Sequence, residues 1–297
     1  VPGRVLASQV VGLDSADTHH SINSFVLGPG GGLHFAEGLF HRTQVETNHS
    51  APRRVSDGGV FRYEPKTQRL DVYSAYNFPN PHGHVFDYWG MNIVHDGTGA
   101  KPIFGPSFSG HVDFPRRHPG APQVYQQRTR PCSGTAILSS AHFPESNRDT
   151  FLVCNVIGFQ GILQYKLEAD GAGLKGTEIE PIVYSSDVNF RPSDIEIGAD
   201  GAIYFSDWQN PLIGHLQHNL RDSNRDHRHG RVYRVTQRGR PLVTPAKIAG
   251  QPIHALLNLL KERDNGVRYR TRIELSSRDS AEVVAAIPSW VEALDPR

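Results

Sequence analysis

Apolar and polar positions follow the same order in two stretches of the chain, residues 25–37 and 195–207, which align without a gap. Each stretch contains a short alternating strand, a turn with glycine, a second apolar strand and then an acid, Glu37 or Asp207. Alternation on both sides of a short glycine turn predicts a β-hairpin. A hairpin that recurs at long spacing predicts a radial or stacked repeat architecture.

Four repeat units follow from this pattern. They span about 10–75, about 85–130, 133 to about 174, and about 179–237, and residues 92–99 look like a degenerate copy of the hairpin. The units predict an all-β fold, a β-propeller with about four blades present. The inner strands of a propeller converge on one axial site, so we expect the chemistry of the protein there.

The apolar spacing becomes helical near residue 245. The pattern therefore predicts a partial propeller domain over 1–244 and a helical segment over 245–297. We expect the segment to be the start of an α-solenoid with HEAT-like repeats, or a small appended bundle. Its helices are predicted at residues 253–262, 267–275 and 280–294, the last one capped by Asp279 or Ser280.

Composition narrows the function classes. The chain has 297 residues, of which 37% are hydrophobic, and a formal net charge of +1. This charge gives no electrostatic reason to expect nucleic acid as a partner. No Rossmann or Walker fingerprint occurs, which disfavours nicotinamide and nucleotide chemistry. The sequence starts at Val1 without an apolar leader, so we expect a fragment or a processed chain.

The two cysteines, Cys132 and Cys154, fall in strands that are predicted to pair across the loop 142–149. One alternative is a disulfide between them, which requires an oxidising compartment. Two separate buried thiols are an equal alternative.

Two segments contain candidate ligand groups. Residues 80–87 are predicted as a loop that places His82 and His84 two residues apart, a spacing that can chelate a transition metal. Asp222, Asn224 and Asp226 have the alternate spacing of an oxygen-ligand calcium loop. The calcium loop lacks the usual glycine and downstream glutamate, and a structural loop is the alternative for both segments.

Longer stretches of the sequence resemble known proteins. Residues 20–29 are similar to the His-containing strand of quinoprotein glucose and sorbosone dehydrogenases. The chain more closely resembles a bacterial family of membrane-bound dehydrogenases that joins a propeller to a helical repeat region. That resemblance is carried by residues 17–20, 80–87, 190–194, 206–211 and 214–230, and it covers about residues 5–295.

The resemblance implies an incomplete form of a six-bladed propeller that oxidises a sugar or alcohol. Hydride would pass to pyrroloquinoline quinone (PQQ), and His20 would be the general base. It also implies an extracytoplasmic location and a c-type cytochrome module in the full-length protein. Arg191 fits the arginine of those enzymes only with an offset of one residue. The expected catalytic residues are His20, Arg191 and Asp207, and the expected cofactor-binding residues are His82, His84, Asp194, Trp208 and His215.

Two functions of different classes remain open. The first is a PQQ-dependent dehydrogenase, with calcium as a second cofactor. The second is a non-catalytic propeller that binds glycan or protein and carries an electron-transfer module. They differ in whether His20, Arg191 and Asp207 converge on one axial pocket.

Overall fold

The computed structural model describes most of the chain, in ranges separated by short gaps. These are residues 8–10, 20–47, 50–98, 101–104, 112–118, 120, 122–126, 129, 132–211 and 222–294. Within them lie seventeen β-strands and three α-helices. Every strand pairing in the five sheets is antiparallel. The prediction of a mainly β body followed by helices is therefore confirmed.

Four of the sheets are meanders that follow one another along the chain. The strands of the first are β2 (Asn23–Leu27), β3 (Leu33–Glu37), β6 (Gly59–Glu64) and β7 (Arg69–Ser74). The second has β8 (Pro81–Phe86), β9 (Asn92–Asp96) and β10 (Lys101–Phe104). The third has β11 (Cys132–Leu138), β12 (Thr150–Asn155), β13 (Gly161–Asp170) and β14 (Gly173–Tyr184), and the fourth has β15 (Pro192–Ile197), β16 (Ile203–Asp207) and β17 (Arg231–Val235).

A side sheet of three strands interrupts the first meander. It pairs β1 (Ser8–Val10), β4 (Arg42–Thr47) and β5 (Ser50–Ser56). Val45 and Val55 of this sheet are buried against Phe35, Phe61 and other apolar residues of the first sheet. The side sheet therefore covers one face of the first sheet.

The first strands of the four meanders lie next to one another in chain order. β2 packs beside β8, β8 beside β11, and β11 beside β15. Apolar side chains fill the spaces between successive sheets, with Ile93 and Phe151 in one layer and Leu152 and Phe205 in the next. The described strands thus form an arc around one axis, and they do not close into a ring.

Three hairpins share one turn geometry, which is the physical basis of the sequence repeat. The amide of Gly28 donates to the carbonyl of Gly32, and the amide of Gly198 donates to the carbonyl of Ala202, each at 2.9 Å. Asp87 and Met91 make the same contact in the second sheet. Gly31, Gly90 and Gly201 each lie three residues after the first residue of the turn, and their φ angles are +82° to +86°. A residue with a Cβ adopts this backbone conformation only with strain.

Several predicted boundaries were wrong. Residues 80–87 are mainly strand β8, because a bulge at Gly83 interrupts the alternation that would have marked a strand. Residues 92–99 supply only the second strand of a hairpin. Residue 179 lies in β14, the outer strand of the third sheet, and the many exposed positions of this strand hide its pairing with β13.

The two cysteines lie on opposite faces of the third sheet. Cys132 is buried in the layer shared with the second sheet, whereas Cys154 is buried in the layer shared with the fourth. No disulfide joins them. Of the two alternatives, the structure therefore favours separate buried thiols, and burial raises the pKa of Cys154 well above its usual value.

The helical segment contains α1 (Ile253–Leu259), α2 (Asn265–Ser276) and α3 (Ser280–Glu292). The carboxylate of Asp279 accepts hydrogen bonds from two amides of the first turn of α3, which confirms it as the cap. Each described helix falls short of the length and hydrophobicity that a membrane-spanning helix needs.

Polar contacts hold the start of α2 on the third sheet. Arg263 forms ion pairs with Glu145 at 2.6 Å and Asp149 at 2.5 Å. The amide of Asn265 donates to the hydroxyl of Ser139 at 2.8 Å. These contacts attach the start of α2 to the link between β11 and β12.

Each first strand has a bulge or register shift near its start, and neighbouring strands approach closely there. The amide of Gly83 donates to the hydroxyl of Ser24 at 2.7 Å. A Cβ on Gly134 would lie only 2.8 Å from the Cα of Asp194. Small residues are therefore required where the strands meet.

We predict that Gly134→Ala destabilises the protein by about 1–3 kcal/mol, the usual cost of overpacking a site that cannot move. The midpoint of urea unfolding measures this. Gly230→Ala is the matched control, because no atom lies within 4 Å of the Cβ that it adds. Equal unfolding midpoints for the two variants would contradict the close approach of β11 and β15.

Candidate functional site

A cavity of about 750 Å³ lies at the axis of the arc. All four first strands contribute to its wall, and helix α2 and the turn 87–90 complete it. The volume lies within the range of about 300–1,000 Å³ that is typical of small-molecule sites. The cavity is therefore the candidate functional site.

One wall of the cavity is acidic. Asp194 and Glu196 both lie on β15 and line the cavity. Desolvation raises the pKa of Glu196, and repulsion from the nearby charge of Asp194 adds a smaller increase. These carboxylates can accept hydrogen bonds from a polar ligand.

Another wall is basic and comes from the helical segment. Arg268 and Arg272 are one turn apart on α2, so they lie on the same face of the helix. The guanidinium of Arg268 donates to the carbonyls of Glu262 and Arg263 and lies 4.3 Å from the ring centre of Tyr88. Arg268 is thus held in place by the protein itself.

Aromatic side chains surround the opening of the cavity. Phe25, Tyr88, Trp89 and Tyr269 all line it and all remain exposed. The exposed fraction of Trp89 is 87%, the largest among these rings. Exposed rings at a pocket opening offer an apolar face for a ligand to pack on.

Two histidines of the predicted site, His82 and His84, line the cavity. Gly83 between them occupies a bulge with φ of +119°. His84 is buried against His34, at a ring distance of 5.4 Å, and against Phe86 at 4.8 Å. Burial, with a smaller effect from His34, lowers the pKa of His84 to about 3, so the imidazole is neutral at pH 7.

His20, Arg191, Asp207 and Trp208 are not among the described residues that line the cavity. Arg191 is buried at the start of β15, where its guanidinium donates to the carbonyls of Asn210 and Val156. His20 is buried against Phe40, at a ring distance of 5.5 Å. Catalytic roles for His20, Arg191 and Asp207 remain predictions, and the structure brings only the last two together.

A contact repeated in three sheets accounts for the positions of these residues. In the first, second and fourth sheets, a residue just before the first strand is hydrogen-bonded to the end of the second strand. The carbonyls of His20, Asn80 and Arg191 accept hydrogen bonds from the amides of Gly38, Gly97 and Trp208, and each of these amides directly follows the acid that ends the second strand. Asp96 and Asp207 return the contact, because their carboxylates accept the amides of Asn80 and Arg191 at 2.7 and 2.8 Å. In the second and fourth sheets the acid therefore fastens the second strand to the start of the first, whereas the carboxylate of Glu37 in the first sheet accepts the hydroxyl of Thr43.

The predicted calcium ligands lie on an exposed loop. Asp222 accepts the amide of Asn224 at 2.8 Å, and Asp226 accepts the amides of Arg228 and His229. Within the part of the chain that the structure describes, no group of three His, Cys, Asp or Glu side chains could hold a metal ion. His215 lies outside the described residues.

Several cavity residues were missed by the sequence analysis. Glu196 occupies the repeat position at which the other copy has Val26, and this change from apolar to acidic was the available signal. Arg268 and Arg272 gave no signal, because their place in the cavity depends on how the helical segment packs against the strands.

Comparisons with known proteins add partial likenesses. Residues 114–239 match the model of a domain of unknown function, DUF7133. No curated protein sequence matches the chain.

Solved structures with partial likeness include two dehydrogenases. An oxidoreductase described as a glucose dehydrogenase, from Thermus thermophilus, is 18% identical with a TM-score of 0.40. The match covers 63% of this chain and 58% of that one, so the chain spans less than two thirds of that relative. A second glucose dehydrogenase is 15% identical with a TM-score of 0.40, over 65% of this chain and 81% of that chain. A luciferin-regenerating enzyme is 13% identical with a TM-score of 0.46, over 79% and 67%.

Glu37, the acid of the first repeat copy, is fully buried. One carboxylate oxygen accepts the hydroxyl of Thr43 at 2.6 Å, and the other has no hydrogen-bond partner among the described residues. Burial raises the pKa of Glu37 to about 7, against the smaller opposing effect of Thr43. Because this pKa is higher than in the unfolded chain, the stabilising contribution is present below about pH 4.5 and is lost as the pH rises through 7.

We therefore predict that Glu37→Gln raises the free energy of unfolding at pH 8 by on the order of 2–3 kcal/mol and changes it little near pH 4.5. Urea unfolding of both proteins at the two pH values measures the difference. Glu180→Gln, at an exposed position of β14, is the control and should show no pH-dependent gain. A Glu37→Gln variant that is less stable than the wild type at pH 8 would show that the carboxylate is not desolvated.

Proposed function

We propose that the four meanders are blades of an incomplete β-propeller and that the axial cavity binds a sugar or sugar alcohol. The observation that carries the proposal is the arrangement of acidic residues and arginines on separate walls of one cavity, under an aromatic opening. Fold likeness alone does not specify function, so the proposal rests on this lining.

The lining matches the chemistry of a polyol. Hydroxyl groups donate hydrogen bonds to carboxylates such as Asp194 and Glu196, and they accept hydrogen bonds from a guanidinium such as that of Arg272. The carbon–hydrogen faces of a sugar ring are apolar and pack on exposed rings such as those of Phe25 and Trp89. A ligand that is apolar on two faces and polar at its edges can contact the acidic wall, the basic wall and the aromatic rings at the opening.

Oxidation of the bound ligand is the finer part of the proposal, and it rests on the sequence resemblance. PQQ carries three carboxylates, so its site needs several cationic donors. The described lining has two arginines, one of them already hydrogen-bonded, and three carboxylates: those of Asp87, Asp194 and Glu196. These residues do not fit the quinone, and PQQ and calcium binding stay predictions of the resemblance.

The general base is also a prediction. A general base works best with a pKa near the working pH. His84 lies in the cavity, but its pKa of about 3 makes it a weak base. His82 is the other imidazole of the lining, whereas His20 is outside it. The extracytoplasmic location and the cytochrome module likewise remain predictions.

Calorimetric titration of the whole chain with glucose, sorbitol and a disaccharide tests the proposal. We predict binding, and a loss of affinity of about tenfold in Glu196→Gln, the usual effect of removing a charged hydrogen-bond partner. Glu180→Gln, outside the cavity, should bind like the wild type. Absence of binding for every sugar and polyol would contradict the proposal.

The same protein with added PQQ and calcium, assayed by dye reduction, separates the two functions. Turnover that depends on the bound sugar supports the dehydrogenase. Binding without turnover supports the non-catalytic propeller, which keeps the cavity as a glycan site.

A further inference from the structure

Arg272 differs from the other arginine of the cavity in what surrounds it. It is half-buried and lines the cavity, and among the described residues it makes no ion pair and no hydrogen bond. Arg268, one turn earlier on α2, has its guanidinium bound by two carbonyls and by the side chain of Asn265. One guanidinium is therefore part of the structure, and the other is available to a ligand.

The surroundings of Arg272 favour an anion. Burial, together with repulsion from Arg268, lowers its pKa, so the positive charge is incompletely compensated by the protein. A carboxylate that enters the cavity would supply two parallel hydrogen bonds and the missing charge. The planar fork of arginine suits a carboxylate better than it suits a single hydroxyl.

The acidic wall sets a second requirement. Asp194 and Glu196 are on β15, and no ion pair in the described part of the chain joins them to Arg272. A ligand with carboxylates at both ends would be repelled by β15, whereas hydroxyl groups there would donate hydrogen bonds. The two walls together select a ligand with one carboxylate and several hydroxyls.

We infer that the cavity takes an acidic sugar, a polyhydroxy carboxylate of the uronate or aldonate class, with its carboxylate on Arg272 and its hydroxyls on Asp194 and Glu196. The inference rests on the proposed function of the cavity and specifies the substrate class of that site. It also makes the helical segment part of the binding site.

The test compares acidic sugars with their neutral counterparts in the whole chain. Glucuronate and gluconate are titrated against glucose and sorbitol by calorimetry. The acidic ligands should bind at least about tenfold more tightly, as expected for a charge-assisted contact. Their advantage should shrink at high salt, because the contact is electrostatic.

Variants of α2 locate the effect. Arg272→Gln should remove the preference for acidic sugars, because it should weaken the binding of glucuronate far more than the binding of glucose. Arg272→Lys should keep part of the preference, since it keeps the charge. Arg270→Gln, on another face of the same helix and outside the lining, is the matched control and should behave like the wild type. Thermal melts establish that each variant is folded.

The possible outcomes distinguish a failure of the acidic-sugar inference from a failure of the proposed sugar site. Equal affinity for glucuronate and glucose in the wild type would overturn the inference and leave the sugar site standing. An equal loss for both ligands in Arg272→Gln would also overturn it. Absence of binding for acidic and neutral sugars alike would remove the proposed function together with the inference.

Discussion

The arrangement of this protein depends on the close approach of the four first strands at their bulges. Ser24, Gly83, Gly134 and Ser193 stand where these strands meet, and a Cβ on Gly83 or on Gly134 would lie 2.4 or 2.8 Å from an atom of the neighbouring strand. The hydroxyl of Ser133 donates to the carbonyl of Pro192 at 2.7 Å, which satisfies a backbone group that the bulge releases from the ladder. Because the strands converge here, the side chains beyond the bulges line one cavity.

The sequence predicted those elements whose pattern is local. The hairpins at 25–37 and 195–207 were found because each combines alternation, a glycine turn and a closing acid, and the structure gives both the same turn contacts. Strand β8 was missed as a strand because Gly83 breaks its alternation. Strand β14 was assigned to the wrong unit because its outward positions are polar and exposed.

The sequence predicted fewer residues of the candidate site than of the fold, because part of the site forms only by tertiary packing. His82 and His84 were identified from their spacing and, like Asp194, from the family resemblance. All three line the cavity because they lie on first strands. His20 and Arg191 lie just before first strands, where their carbonyls join the first strand of a sheet to the second. They therefore do not line the cavity. The arginines belong to a helix more than 60 residues further along the chain than β15, and only tertiary packing brings them to the cavity.

The sequence predicts the helical segment as a region separate from the strands, but the segment contacts them and lines part of the cavity. Arg263 and Asn265 attach the start of α2 to the third sheet, and Arg268 packs on Tyr88 of the turn at the cavity opening. The strands supply the carboxylates of Asp194 and Glu196, and the helix supplies the two arginines of the cavity. A polar ligand that needs both would therefore bind only when the two regions are docked together.

A crystal structure of the whole chain with bound glucuronate would show which side chains hold the sugar. We predict that the sugar lies inside the cavity between β15 and α2, with its carboxylate on the guanidinium of Arg272 and its hydroxyls on Glu196. A sugar bound elsewhere, such as in the shallow pocket beside Tyr184 and Tyr233, would contradict it.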